Sequence, residues 1–216
     1  MDATHFLFGG LVVLLGILFR IPFLNFPLDD DFAIYTYIAR FRRRGLRWKK
    51  DLQVIGIPLW RMRLQDLWYR DPETGVRRIR HLQTVFHVTT SLVLYGAVWV
   101  WTGNAWAAFA AGALHAFYGT NPDLTAGSYN FEQFYIPFIL LGFLFLVSEP
   151  SHWVLSGLCF GAAAILKYTT ALYPVVLGGL AGIQIGGHAA LPFALAVALP
   201  LGISHLVDRT LGYWDA

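Results

Sequence analysis

The residues best placed to do chemistry in this chain are three consecutive carboxylates, Asp29, Asp30 and Asp31. They follow an apolar stretch long enough to cross a bilayer and precede a strongly basic interval. Charge where a chain leaves hydrocarbon is costly and marks a place where an ion, a proton or a polar substrate is handled. A carboxylate crowded by two others and faced by guanidinium groups can serve as a general base. The same three residues also suit the cap and first turn of a following helix, where acidic groups meet the positive end of the dipole. Both readings are open at this level.

Thirteen of the sixteen Lys and Arg residues lie between positions 40 and 80, against four carboxylates, a local excess of +9 in a chain whose net charge is +3. Next to membrane spans, such an interval suits lipid head groups, phosphates or an acidic partner, or simply a solvated surface facing lipid. With 56% hydrophobic and 13% charged residues among 216, the composition is that of a membrane protein. That context speaks against a nucleic-acid partner. The single cysteine, Cys159, can form no intrachain disulfide and reads as a small packing residue.

The elements that must hold these residues are helices. A first span is expected from about Phe6 to Leu24, with Arg20 near its far end and Pro22 in the exit; no basic leader or cleavage site marks it as a signal peptide. Phe32, Tyr35, Ile38 and Ala39 recur at helical spacing, predicting an interfacial helix, and Leu59 to Trp68 predicts a second amphipathic surface helix. Residues 71–75, Asp-Pro-Glu-Thr-Gly, read as a turn. Further spans are expected over Leu82–Trp101, Ala105–Tyr118 after a Gly103-Asn104 hairpin, and Glu132–Ser148. Residues 153–185 fit two short spans meeting at Lys167 to Thr170, and a last span covers Ala189–Val207. The fold class is therefore an all-α polytopic bundle of seven spans, or six, forming one domain: 1–28 the first span, 29–80 the acidic corner and basic loop, 81–216 the rest. His87 and His115 fall in apolar spans, where a histidine either ligates a metal or tetrapyrrole or bonds a neighbouring helix; the latter is the expectation. The eight Trp and ten Tyr gather near span ends as interfacial belts.

Four segments in order, PLDDDFAIYTYIARF at 27–41, GLRWKKDLQVIGIPL at 45–59, NFEQF at 130–134 and GLCFGAAAILKYTTALYP at 157–174, resemble the GT-C class of membrane glycosyltransferases. The similarity is to those related to protein O-mannosyltransferases and to the aminoarabinose transferases of lipid A. The resemblance implies transfer of a sugar from a polyprenyl-phosphate donor at the outer face of a bacterial-type inner membrane. By the match, Asp31 stands at the catalytic aspartate position, with Asp30 the one-residue alternative. Glu132 and Lys167 stand at the second acidic and basic positions. In that chemistry Asp31 takes the acceptor proton, Lys167 with Arg40 or Arg43 receives the phosphate, and Asp30 or Asp31 with Glu132 is a candidate ligand set for a divalent metal. As plain structure, Glu132 is a helix-start residue and Lys167 a side chain reaching the interface.

The chain departs from the family pattern at Phe32, where a second acidic residue is usual, and at Ile57-Pro58-Leu59, where lysine-proline-proline is usual. It also ends after the module these enzymes share, so the transferase reading is of a module incomplete alone. The alternative is a non-catalytic integral membrane subunit, derived from that module and docked in a larger membrane complex. Positive-inside counting puts residues 40–80 in the cytoplasm, whereas the resemblance puts them outside. The orientation adopted is the one the resemblance implies.

Overall fold

The computed structural model describes residues 3–25, 41, 72–120, 132–148, 152–185 and 187–210. Among them are seven α-helices and no strand: α1 (Ala3–Arg20), α2 (Pro72–Thr102), α3 (Ala105–Tyr118), α4 (Glu132–Ser148), α5 (Trp153–Leu166), α6 (Leu172–Ile185) and α7 (Gly187–Thr210). Short 3-10 turns follow α1 (Ile21–Phe23) and precede α6 (Tyr168–Ala171). Three of these segments are long and apolar enough to cross a membrane: Ala3–Phe23, Thr74–Thr102 and His188–Val207. The helices fall into two compact units, one of α1, α2, α3 and α4 as far as Leu140, the other from Leu141 onward with α5, α6 and α7.

In the first unit α1 buries Phe8, Val12, Gly16 and Arg20, one residue per turn along a single stripe, and exposes Leu7, Leu14, Ile17 and Leu18 on the rest of its surface. Pro22 supplies no amide hydrogen to the ladder and its ring crowds the preceding turn, which explains the change to a 3-10 turn beyond Arg20. The buried stripe of α3 is Ala108, Gly112 and Ala116, all small. A β-carbon placed on Gly112 would stand 3.0 Å from both the Ser91 carbonyl oxygen and a Val12 methyl, and one on Gly16 would stand 3.0 Å from a Val88 methyl. Small residues thus bring the three helices together where packing, not hydrophobic expulsion, drives association in lipid. Phe8, Val12, Tyr95 and Ala108 form the core of this contact, and the Phe8 ring lies 4.7 Å from Trp106 and 5.0 Å from Phe109.

The α2–α3 hairpin is built as its sequence suggests. Gly103 takes a positive φ of 63°, a conformation glycine adopts without steric cost, and donates its amide to the Trp99 carbonyl at 2.8 Å. Asn104 then caps α3, its Oδ1 accepting from the amides of Trp106 at 3.0 Å and Ala107 at 3.1 Å. The hydroxyls of α2 are absorbed by the helix itself: Thr84, Thr89, Thr90 and Ser91 each donate to the carbonyl four residues earlier, at 2.8–3.0 Å.

One sequence expectation fails. Of the residues expected as a 71–75 turn, 72–75 are instead the start of α2, which begins ten residues before the expected Leu82. Proline at a first helical position is favourable, because its missing amide hydrogen would have no partner there and its φ already suits the helix. At about 1.5 Å per residue α2 is roughly 46 Å long, against a hydrocarbon core of about 30 Å. The surface helices expected over 32–42 and 59–68, apart from Phe41, which is helical, lie outside the described residues.

In the second unit the expected break holds: α5 ends at Leu166, Lys167 is extended at φ −147° and ψ 110°, and the chain re-enters a helix through the 3-10 turn. The Lys167 amide donates to the Ala163 carbonyl at 2.9 Å, and the Lys167 carbonyl accepts from the Thr170 amide at 3.0 Å and hydroxyl at 2.7 Å. Gly157 and Gly161, four apart on α5, face α7. A β-carbon on Gly157 would come within 2.7 Å of both the Ala196 methyl and the Phe193 carbonyl; one on Gly161 would come within 2.6 Å of the Val197 carbonyl. This is a small-xxx-small seam pressed against backbone. Ser156 adds a hydroxyl bond of 2.7 Å to the Gly142 carbonyl of α4. We expect Gly157→Leu and Gly161→Leu each to destabilise the second unit by roughly 1–3 kcal/mol, the usual cost of overpacking. Gly202→Ala, where nothing lies within 4 Å, should be neutral or slightly stabilising. Thermal unfolding in detergent checks both; equal melting of Gly157→Leu and wild type overturns the seam.

Candidate functional site

The polar groups of the first unit are buried at one end. α1 ends there with Arg20, α2 begins there and carries Arg80, Gln83, His87 and Ser91 at spacings of three, four and four, and α3 ends there with His115 and Gly119. Arg20 and Arg80 are each 1% exposed and Gln83 is fully buried. Gln83 Oε1 accepts from Arg80 Nη1 at 2.9 Å and from Arg20 Nη2 at 3.3 Å, so two cationic heads meet on one amide oxygen. Arg20 Nε, Arg20 Nη1 and Gln83 Nε2 are buried N–H donors with no hydrogen-bond partner among the described residues. Two guanidiniums bonded to one oxygen are at most about 6 Å apart and repel by roughly 3 kcal/mol at an effective dielectric of about 20. Each unsatisfied buried donor costs about 1–3 kcal/mol more, and more again when it carries charge.

Beside this pair the two histidines are tied into the bundle. His87 Nε2 donates to the Ala116 carbonyl at 3.1 Å, so the hydrogen is on Nε2. Ser91 Oγ donates to the His87 carbonyl at 3.0 Å and accepts from His115 Nδ1 at 2.9 Å. The rings lie 5.0 Å apart and nearly parallel, and a β-carbon on Gly119 would sit 2.8 Å from His87 Cε1, so glycine lets the end of α3 close over that ring. The expectation that these histidines bond neighbouring helices is met. The described residues contain no cluster of three or more His, Cys, Asp or Glu that could hold a metal ion.

The start of α4 lies at the same level of α2. The Phe134 ring is 4.9 Å from Phe86, edge to face, and Phe138 follows at 6.2 Å from the same ring. Of the residues singled out from sequence, Glu132 is the first residue of α4, the helix whose Phe134 and Phe138 meet Phe86 of α2. Lys167 lies in the second unit, between α5 and the 3-10 turn. Asp29, Asp30, Asp31, Arg40 and Arg43 lie outside the described residues. Arg20, Arg80 and Gln83 were not singled out, although the sequence carried a signal for them. A lone cation in an apolar span and polar residues recurring on one helical face both mark a buried polar site.

Comparison with protein-family models, with curated proteins and with solved structures gives no match to this chain.

Gln83 is the keystone of the cluster. We expect Gln83→Leu to destabilise the protein by roughly 1.5–3 kcal/mol, the range for hydrogen bonds to charged groups, because it removes the acceptor that the two guanidiniums share. A melting temperature in detergent unchanged from wild type overturns this.

Proposed function

We propose that this chain is a multi-pass integral membrane protein whose seven helices form its crossings, and that it works as the membrane module of a glycosyltransferase fed by a polyprenyl-phosphate sugar. The observation that carries the reading is the gathering of chemistry at one end of the first unit. The end of α1, the buried polar face of α2 and the end of α3 meet there, the start of α4 reaches α2 through Phe134 against Phe86, and the Asp29-Asp30-Asp31 run follows α1 in sequence from that end. Sugar transfer from a phosphate leaving group needs a base for the acceptor proton and positive charge for the departing phosphate. Asp31 is the base in this reading, with Asp30 its neighbour. Lys167, Arg40 and Arg43 receive phosphate, and Glu132 completes a divalent-metal set with Asp30 or Asp31.

A second reading, a non-catalytic subunit of a larger membrane complex, draws on α7, which exposes Leu191, Leu195, Leu199 and Leu206 along its length. Such a stripe fits lipid or a neighbouring helix equally well.

Asp31→Asn should lower sugar transfer from a radiolabelled polyprenyl-phosphate sugar by roughly 100-fold or more, the usual contribution of a general base, while leaving the protein abundant in the membrane. Chelation with EDTA should stop transfer, and added Mg2+ or Mn2+ restore it, if the carboxylates hold a metal. Full activity of Asp31→Asn removes it as the base. Absence of transfer by wild type, with stoichiometric co-purification of another membrane protein in mild detergent, replaces the enzyme by the subunit.

A further inference from the structure

We infer that the end of α1 holds a structural chloride ion, bound by the guanidinium of Arg20 with the carboxamide of Gln83. Arg20 is 1% exposed and Gln83 is fully buried. Among the described residues the Arg20 side chain has one hydrogen bond, from Nη2 to the neutral Gln83 Oε1 at 3.3 Å, and its Nε and Nη1 have no acceptor. Its charge therefore meets no carboxylate among those residues. Gln83 Nε2 is likewise a buried donor without a partner. Buried polar groups in folded proteins are almost always satisfied, and a buried charge left without a counter-charge is strongly destabilising. Water supplies acceptors to such donors but no charge. An anion supplies both.

Only a hydrogen bond is asked of Arg80. Its Nη1 reaches Gln83 Oε1 at 2.9 Å beside Arg20 Nη2, so the carboxamide must turn its oxygen to the guanidiniums and leave its Nε2 hydrogens for another acceptor. The kind of anion follows from charge and enclosure. One charge, that of Arg20, is to be balanced, which calls for a monovalent ion. A site whose two donor side chains are shut off from the surface leaves no path for the tail of a larger acid. A halide is a single atom, so it accepts N–H bonds from any direction, and the weakly hydrated guanidinium is the cation best suited to pair with an ion that has left its water. Arg20 closes α1 and Gln83 lies on α2, so an ion held by both ties those helices together and makes the stability of the first unit depend on chloride. Sugar transfer has no part in this: the site stands on Arg20 and Gln83 alone.

The full chain in mild detergent, exchanged into sodium gluconate, provides the test; chloride or bromide then replaces gluconate at constant ionic strength, so that general screening does not change. The melting temperature should rise saturably with either halide, because a ligand held only by the folded state stabilises it by mass action. The chloride NMR resonance should broaden in the presence of the protein and narrow again as bromide competes. Arg20→Gln should weaken halide binding by roughly 10-fold or more in both measurements, the affinity equivalent of a hydrogen bond to a charged group. Gln83→Glu covers the case in which Arg20→Gln fails to fold. It sets a carboxylate against the Arg20 guanidinium, so the protein should melt in gluconate at or above the temperature that wild type reaches in chloride, and chloride should raise it no further. Equal melting of wild type in chloride and gluconate, with an unbroadened resonance, overturns the chloride site. So does a halide shift of wild-type size in either variant. Inorganic phosphate that raises the melting temperature at a lower concentration than chloride does overturns the halide assignment and puts an oxyanion at Arg20 instead.

Discussion

Two guanidiniums held by one amide oxygen at a helix-bundle end are the constraint to which the first unit answers. Inside a bilayer a charged group has no water to fall back on, so its neighbours must be close and correctly aimed. Close approach is supplied by small residues: Gly16 admits Val88, Gly112 admits Val12 and the backbone of α2, and Gly119 admits the His87 ring. Larger side chains at these places would spread the helices and carry Arg20 away from Gln83. The hydroxyls of α2 and the paired histidines serve the same end, because they spend their hydrogens on carbonyls or on one another and leave Arg20 Nε, Arg20 Nη1 and Gln83 Nε2 as the cluster's donors without a partner among the described residues.

The second unit solves a different problem by related means. It has no comparable buried charge among its described residues, and its cohesion comes from the seam of Gly157 and Gly161 against the backbone of α7, with Phe160 edge-on to Phe193 at 6.2 Å filling the space between. Helices of 14 residues, such as α5 and α6, are only about 21 Å long at about 1.5 Å per residue. Their joint at Lys167 is a place where the backbone leaves the helix and satisfies itself through Thr170.

The helices were largely legible in the sequence, because long apolar runs bounded by Gly-Asn, Pro-Ser and Lys-Tyr-Thr-Thr leave few alternatives. The start of α2 was not: Asp71-Pro72-Glu73-Thr74-Gly75 has turn composition, and only the packing of Ile79, Arg80 and Gln83 against the bundle makes those residues worth ordering as helix. The candidate site was half legible. A carboxylate run is conspicuous in one dimension, whereas a cluster formed by Arg20 with Arg80 and Gln83 joins positions more than sixty apart. Arg80 was hidden twice over, at the edge of a basic interval whose other members read as a surface and inside a stretch taken for a connection.

The surplus length of α2 couples this protein to its surroundings. Set across about 30 Å of hydrocarbon, a helix roughly 46 Å long would tilt or project, and its first turns carry the exposed Arg77 and Arg78. Arginines so placed can reach a head-group plane, and in a bilayer the depth of Arg80 three residues further on would then follow the local thickness. Hydrophobic mismatch would thereby become a variable of the site, set by the same helix that supplies its polar floor.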